Sequence, residues 1–218
     1  MALFDDKTTL LIFSPHADDE ILGCGGLISK VKKMKGYVHV CLFSCGDFKN
    51  MRKKEFETVM TYLNVDSFNI LYSDEFHLKI DTVPTFELIQ NMEQVLNKIK
   101  PSLCALPYPS FNQDHKAIYE AGIAALRAQE NKYNDIIVYE YPQVGWNLYD
   151  PPFTPNLYLD IGEFIDRKVE CFELYKSQQK TSKYAISSDG ILTLAKYRGK
   201  EVSLQYAEGY MLKRRIEF

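Results

Sequence analysis

Thr9–Ser44 reads TLLIFSPHADDEILGCGGLISKVKKMKGYVHVCLFS, and its pattern decides the fold class. Thr9–Ser14 and Tyr37–Ser44 are short, continuous apolar runs, as expected of strands buried on both faces. Between them, Ile21–Lys35 spaces Ile21, Leu22, Leu27, Ile28 and Val31 along one side of a helix, with a Lys-rich outer face and a stop at Gly36. A strand, a helix and a strand of these lengths form a βαβ unit, and such units build parallel sheets.

The alternation continues outward from this unit. Helices are predicted at Asn50–Leu63, Phe86–Ile99 and Gln113–Gln129, and strands at Phe68–Leu71, Leu103–Leu106 and Ile136–Tyr139. From Glu140 to Asn156 four prolines (Pro142, Pro151, Pro152, Pro155) stand among aromatics, which predicts a long ordered loop near a site. A strand at Leu157–Ile161, helices at Phe164–Gln178 and Ile191–Gln205, and a strand at Tyr210–Glu217 complete the pattern. There is no internal repeat and no linker. Residues 1–218 therefore read as one α/β domain, Rossmann-like, with a mostly parallel sheet and helices on both faces.

Composition narrows the class without supplying chemistry. The 218 residues are 46% hydrophobic and 25% charged, enough apolar material for a core without disulfide staples. The net charge of −3, with basic clusters no longer than Arg52-Lys53-Lys54 and Lys213-Arg214-Arg215, argues against a nucleic-acid partner. No apolar run reaches the ~20 residues of a membrane span. The first residues lack the basic start and apolar stretch of a signal peptide, so a cytoplasmic location is expected. The five scattered cysteines fit that location as buried thiols. A homo-oligomer is compatible with all of this.

The densest cluster of reactive side chains is Ser14-Pro15-His16-Ala17-Asp18-Asp19-Glu20, between the first strand and the first helix. Parallel sheets build sites at the carboxyl ends of their strands. A tight turn lets His16 and Asp19 share one cation and leaves Asp18 to act on a water. Capping of the helix by the acidic residues is the plainer reading, and both stand open on the sequence alone. Gly23, Gly25 and Gly26 do not make Gly-x-Gly-x-x-Gly, and close helix-to-sheet packing explains them better than a dinucleotide. A second cluster, Asn112-Gln113-Asp114-His115, follows the fourth strand. If the first and fourth strands are neighbours, His115 supplies a third ligand, and Asp114 supports a ligand or handles a proton. His39 reads as structural. His77, on a loop beside Asp74 and Glu75, is a weaker candidate for the active site than His16 or His115.

These residues carry a resemblance. Pro15-His16-Ala17-Asp18-Asp19-Glu20, followed by Ile-Leu-Gly-Cys-Gly-Gly, resembles the Pro-His-x-Asp-Asp-Glu signature of the LmbE-like / PIG-L family of zinc-dependent N-acetylglucosaminyl deacetylases. Asn112–His115 resembles the second metal motif of that family. Arg52–Val65 resembles its Arg-x-x-Glu helix, with Asn64 where Gly is common. Asp160–Gln178 and Tyr206–Arg214 resemble its two C-terminal stretches, with Tyr210 in place of Phe. The resemblance implies a Rossmann-like fold without a dinucleotide, zinc held by His16, Asp19 and His115, Asp18 as general base, and Arg52 near the substrate. It implies removal of the acetyl group from an N-acetylated amino sugar or glycoconjugate. A His, Asp, His set also accepts iron(II) or cobalt.

One position departs from the family. Where many members carry an oxyanion-stabilising His, this chain has Asn112, whose amide can donate a hydrogen bond but cannot carry charge. Asn112 motivates the alternative of a metal-containing carbohydrate- or metabolite-binding protein with little hydrolytic rate. Tyr108, Tyr141, Trp146 and Tyr149 are expected near the mouth, where aromatic rings suit sugar faces.

Overall fold

The computed structural model describes residues 4–46, 51–128, 135–143 and 151–216. Seven strands make one sheet in the order β3-β2-β1-β4-β5-β7-β6. They are β1 (Thr9–His16), β2 (Tyr37–Ser44), β3 (Ser67–Ile70), β4 (Leu103–Pro107), β5 (Asp135–Tyr139), β6 (Leu157–Asp160) and β7 (Ala207–Arg214). The first five pair in parallel, and β7 runs antiparallel to both β5 and β6. The mostly parallel sheet read from the alternation is thus the one observed.

The helices are α1 (Asp19–Lys33), α2 (Met51–Tyr62), α3 (Thr85–Ile99), α4 (Gln113–Ala125), α5 (Ile165–Glu173) and α6 (Ser188–Glu201). Right-handed crossovers put α1 and α2 on one face of the sheet and α3 and α4 on the other. Consistently, α1 packs on α5 and α5 on α6, while α3 packs on α4. Leu10, Leu11, Ile12 and Phe13 are wholly buried between the layers, which is why β1 reads as an unbroken apolar run. After α2 the chain turns at Asn64, whose φ of 54° lies in the left-handed region that Asn tolerates better than most side chains.

The glycines of α1 allow close packing. A Cβ on Gly23 would sit 2.1 Å from the Tyr139 ring, and one on Gly26 would sit 2.3 Å from Ile161. Next to them an ion pair is inserted into the helix. Glu208 of β7 accepts hydrogen bonds from the Gly26 and Leu27 amides at 2.7 and 2.8 Å, and Lys168 of α5 donates to the Leu22 carbonyl at 2.9 Å. Lys168 and Glu208 are themselves 2.7 Å apart and both are buried. Leu22 and Gly26 are the residues that one rung of a regular helix would join.

Several boundaries differ from expectation, and three of them have a clear cause. The final strand starts at Ala207 rather than Tyr210, because its inward-facing Glu208 reads as polar in the sequence yet is buried on Lys168. The helix expected through Gln178 ends at Glu173. Beyond it the backbone turns so that Tyr175 reaches the Glu20 carboxylate and Ser177 reaches Glu55. The helix expected from Ile191 begins at Ser188, where the Ser187 hydroxyl accepts from the Gly190 amide as a cap.

Candidate metal centre

The sheet reverses its order of connection between β1 and β4, which are adjacent and parallel. Such a switch point opens a crevice at the strands' carboxyl ends. His16 is the last residue of β1, Asp19 the first of α1, and Asn112–His115 start α4 just beyond β4. The adjacency on which a third ligand depended is therefore present.

The turn joining β1 to α1 is sharp. Asp18 has φ 127° and ψ −28°, a strained combination for a residue with a side chain. It occupies the N-cap position of α1, yet its side chain makes no capping hydrogen bond. Capping is therefore not what Asp18 does. Asp19 turns inward: its Oδ2 accepts the His16 amide at 3.0 Å and lies 3.3 Å from His16 Nδ1 and 3.1 Å from His115 Nε2. Glu20 turns the other way, with Oε1 accepting the Tyr175 hydroxyl and Oε2 lying 3.0 Å from Ser14 Oγ.

Asp114 is wholly buried, and both of its oxygens are engaged. Oδ2 lies 2.9 Å from His16 Nε2 and Oδ1 accepts the Ile80 amide at 3.0 Å. It orients the His16 ring, whose Nδ1 is thereby turned toward Asp19. Asn112 caps α4: its Oδ1 accepts the Asp114 amide at 3.0 Å. Arg52, from the first turn of α2, donates from Nε and from the NH2 nitrogen to the Ala17 carbonyl, and that nitrogen lies 3.3 Å from Asp18 Oδ2. Arg52 thus braces the turn that carries Asp18.

Charge is unevenly distributed here. Asp18, Asp19, Glu20 and Asp114 are buried carboxylates, set against the single guanidinium of Arg52. Burial pushes Asp18 up to about 7, against the pull of Arg52. Burial also raises Glu20 to about 7, although Tyr175 and Ser14 donate to its charged form. For His16, burial alone would lower the pKa, but Asp114 and Asp19 accept from the ring and raise it to about 9. Burial would likewise raise Asp19, yet His115 and His16 hold it well below the usual carboxylate range. Buried negative charge of this density holds a proton on His16 and invites a cation.

The donor set fits a metal ion. His16, Asp19 and His115 offer ligand atoms all within 4.8 Å of one another. Ligands of one tetrahedral zinc at ~2.0–2.1 Å lie about 3.3 Å apart, close to the 3.1 and 3.3 Å found around Asp19 Oδ2. His115 turns Nε2 to this set, and among the described residues its buried Nδ1 has no hydrogen-bond partner.

Of the aromatics expected at the mouth, Tyr108 and Tyr141 are buried. Tyr141 lies 4.9 Å from the His115 ring, with its hydroxyl 2.8 Å from Ser110, and Tyr108 packs edge-on against Phe153. They form walls and are not exposed platforms. Trp146 and Tyr149 lie outside the described residues. His39 is structural, held between Ser67 and Asn69. The five cysteines are buried free thiols. His77, a weaker candidate on the sequence, stands beside the site with its ring 4.8 Å from that of His16. Burial, together with the nearby His16 and Arg52, lowers its pKa to about 4. Its place after the carboxyl end of β3 is the signal that could have found it.

A mostly parallel sheet with a switch-point crevice, and buried His16, Asp19 and His115 that could hold a metal ion beside the Asp18 carboxylate, define an α/β protein with a candidate metal site. The chain belongs to the family described as PIG-L: GlcNAc-PI de-N-acetylase, which it matches over residues 11–126, more than half its length. It is 25% identical over 191 residues to the probable N-acetyl-alpha-D-glucosaminyl L-malate deacetylase 2 of Bacillus subtilis, a match covering 79% of this chain and 84% of that protein. The N,N'-diacetylchitobiose deacetylase of Pyrococcus horikoshii shares the fold with a TM-score of 0.78 at 22% identity, covering 95% of this chain and 84% of that one. So does GalB, the 4-carboxy-2-hydroxymuconate hydratase of Pseudomonas putida, with a TM-score of 0.68 at 16% identity over 97% and 98% of the chains. The fold alone therefore does not select the reaction.

Proposed function

We propose that this protein is a metal-dependent hydrolase that removes the acetyl group from an N-acetylated amino sugar or sugar conjugate, with zinc as the ion and the whole chain acting as one domain. The observation that carries the proposal is the turn at residues 16–19, which aims His16 and Asp19 at His115 while setting the Asp18 carboxylate apart beside them. The metal would be held by His16, Asp19 and His115. A divalent ion so bound supplies Lewis acidity, lowering the pKa of water and polarising an amide carbonyl.

The remaining chemistry belongs to the protein. Asp18 is the general base: it takes a proton from the attacking water and returns it to the departing amine. Arg52 keeps Asp18 in place through the Ala17 carbonyl and the carboxylate itself. Asp114 orients His16 and has no oxygen to spare for the substrate. Asn112 has its oxygen committed to the α4 cap, so its contribution is confined to donation from its amide NH2 group.

The names of the relatives support a small N-acetylated sugar as substrate. Among the described residues no helix is long and apolar enough to cross a membrane. Acetate release is the test, measured with the metal-loaded protein on N-acetylglucosamine, diacetylchitobiose and N-acetylglucosaminyl malate. Metal-dependent acetate release from at least one is expected. No acetate from any, with metal bound, contradicts the proposal.

A further inference from the structure

His77 is not among the three converging ligands, yet the chain between β3 and α3 is shaped to bring it to them. Three features on different elements hold it there. First, Gly46, just past the end of β2, has φ 72°, and a Cβ on it would lie 2.4 Å from His77 Cγ and Nδ1. A side chain at 46 would displace the ring. Second, Leu78 has φ 58°, a left-handed conformation costly for a side chain of its size. Third, that strained segment is fastened across the crevice to α4: Gln113 Nε2 donates to the Leu78 carbonyl at 2.8 Å and the Ile80 amide donates to Asp114 Oδ1 at 3.0 Å. Asp114 therefore ties the His77 loop to the ligand His16.

The ring's environment indicates what it is held there to do. His77 Nδ1 lies 3.4 Å from the hydroxyl of Ser44, the residue paired with His16 across β1 and β2. When Nδ1 accepts from that hydroxyl, Nε2 carries the ring hydrogen. His77 is half-buried, whereas His16 and His115 are buried, so its ring is more open to solvent than theirs. Of the other candidate donors, Arg52 is engaged on Ala17 and Asp18 and the Tyr141 hydroxyl is paired with Ser110, while Asn112 has its oxygen at the α4 cap and keeps its amide NH2 group as a second donor.

Resting on the deacetylase reading above, we propose that His77 is a catalytic residue, donating a hydrogen bond from its ring to the acetyl oxygen as negative charge develops there. In the hydrolysis, the oxygen of water bonds to the acetyl carbon and the C–N bond breaks. The proton taken by Asp18 passes to the leaving nitrogen, giving acetate and the free amino sugar. His77 keeps its own proton throughout, and its contribution is electrostatic.

The test compares wild type, His77→Ala, His77→Gln and the double variant His77→Ala/Asn112→His. Acetate release gives kcat and KM, zinc stoichiometry gives metal binding, and melting temperature reports folding. For His77→Ala, kcat is expected to fall roughly 100-fold, as for loss of one oxyanion donor, with KM within a few-fold and zinc content unchanged. His77→Gln, which keeps a donor, should recover part of the loss, and so should an imidazole placed at 112. Wild-type kcat in His77→Ala overturns the role, as does a loss matched by lost zinc or lost folding in both single variants. If wild type releases no acetate from any sugar, the deacetylase reading falls and the role of His77 falls with it, a result distinct from activity that His77→Ala leaves intact.

Discussion

Asp114 Oδ2 sits 2.9 Å from His16 Nε2, and the other oxygen of the same carboxylate holds the Ile80 amide. One buried side chain thus sets the orientation of the His16 ring and the position of the loop that carries Ile80. Asp114→Asn retains the shape but weakens the hold on the His16 ring. Zinc affinity, measured by competition with a chromophoric chelator, is expected to fall by about 10- to 100-fold, the usual effect of losing a ligand's supporting carboxylate. Unchanged affinity would show that His16 needs no such support.

The ion pair inserted into α1 makes a prediction about stability. Lys168→Met strands the buried Glu208 charge, which still accepts from Gly26, Leu27 and Tyr210. The loss in chemical denaturation is expected at about 3 kcal/mol, the lower end for breaking a buried pair. Lys168→Met/Glu208→Gln removes both charges and should cost less than the single change. A single variant within about 1 kcal/mol of wild type would mean that the pair behaves as a solvated one.

Acid–base groups of the site set the pH dependence of the metal-free protein. Asp18 and Glu20 are raised by burial to about 7 in the folded chain, so the unfolded chain ionises them first and stability falls as pH rises from about 4 to 7. His16 is raised to about 9 by Asp114 and Asp19 against its burial, so its contribution is present below its ordinary 6.5 and is lost on the way to 9. Two groups act in the opposite direction: Asp19, held low by His115 and His16 despite burial, does so in acid, and His77, lowered to about 4 by burial with His16 and Arg52, offsets part of the decline between about pH 4 and pH 6.5. The melting temperature of metal-free protein should therefore decline from about pH 5 to about pH 9. Zinc displaces these protons, so its stabilising shift should be larger at about pH 8 than at about pH 6. A flat or rising profile for the metal-free protein contradicts this account.

Much of the architecture was legible because it depends on burial. Apolar strands and one-sided helices reveal a parallel sheet, and the sheet's switch point then brings His16, Asp19 and His115 together. What was missed depends on contacts that spacing does not encode. His77 reaches the site only because β2 and β3 lie side by side and Gly46 leaves room for its ring. Asn112 reads as a site residue by its position, yet its oxygen is used by the helix it starts. Glu208 hides the start of β7, since a buried acid looks like a surface one until Lys168 is placed beside it.

The central claim is that Asp18 is the base of a metal-dependent deacetylation and that it is separable from metal binding. Asp18→Asn is the sharpest variant, because Asn tolerates unusual positive φ better than most residues and so changes charge more than backbone. The decisive measurement is acetate release from an N-acetylated amino sugar by wild type and Asp18→Asn, each with its zinc content determined. The account predicts equal zinc and a kcat lower by roughly 100-fold or more, the range for loss of a general base. Equal zinc with undiminished kcat would contradict it.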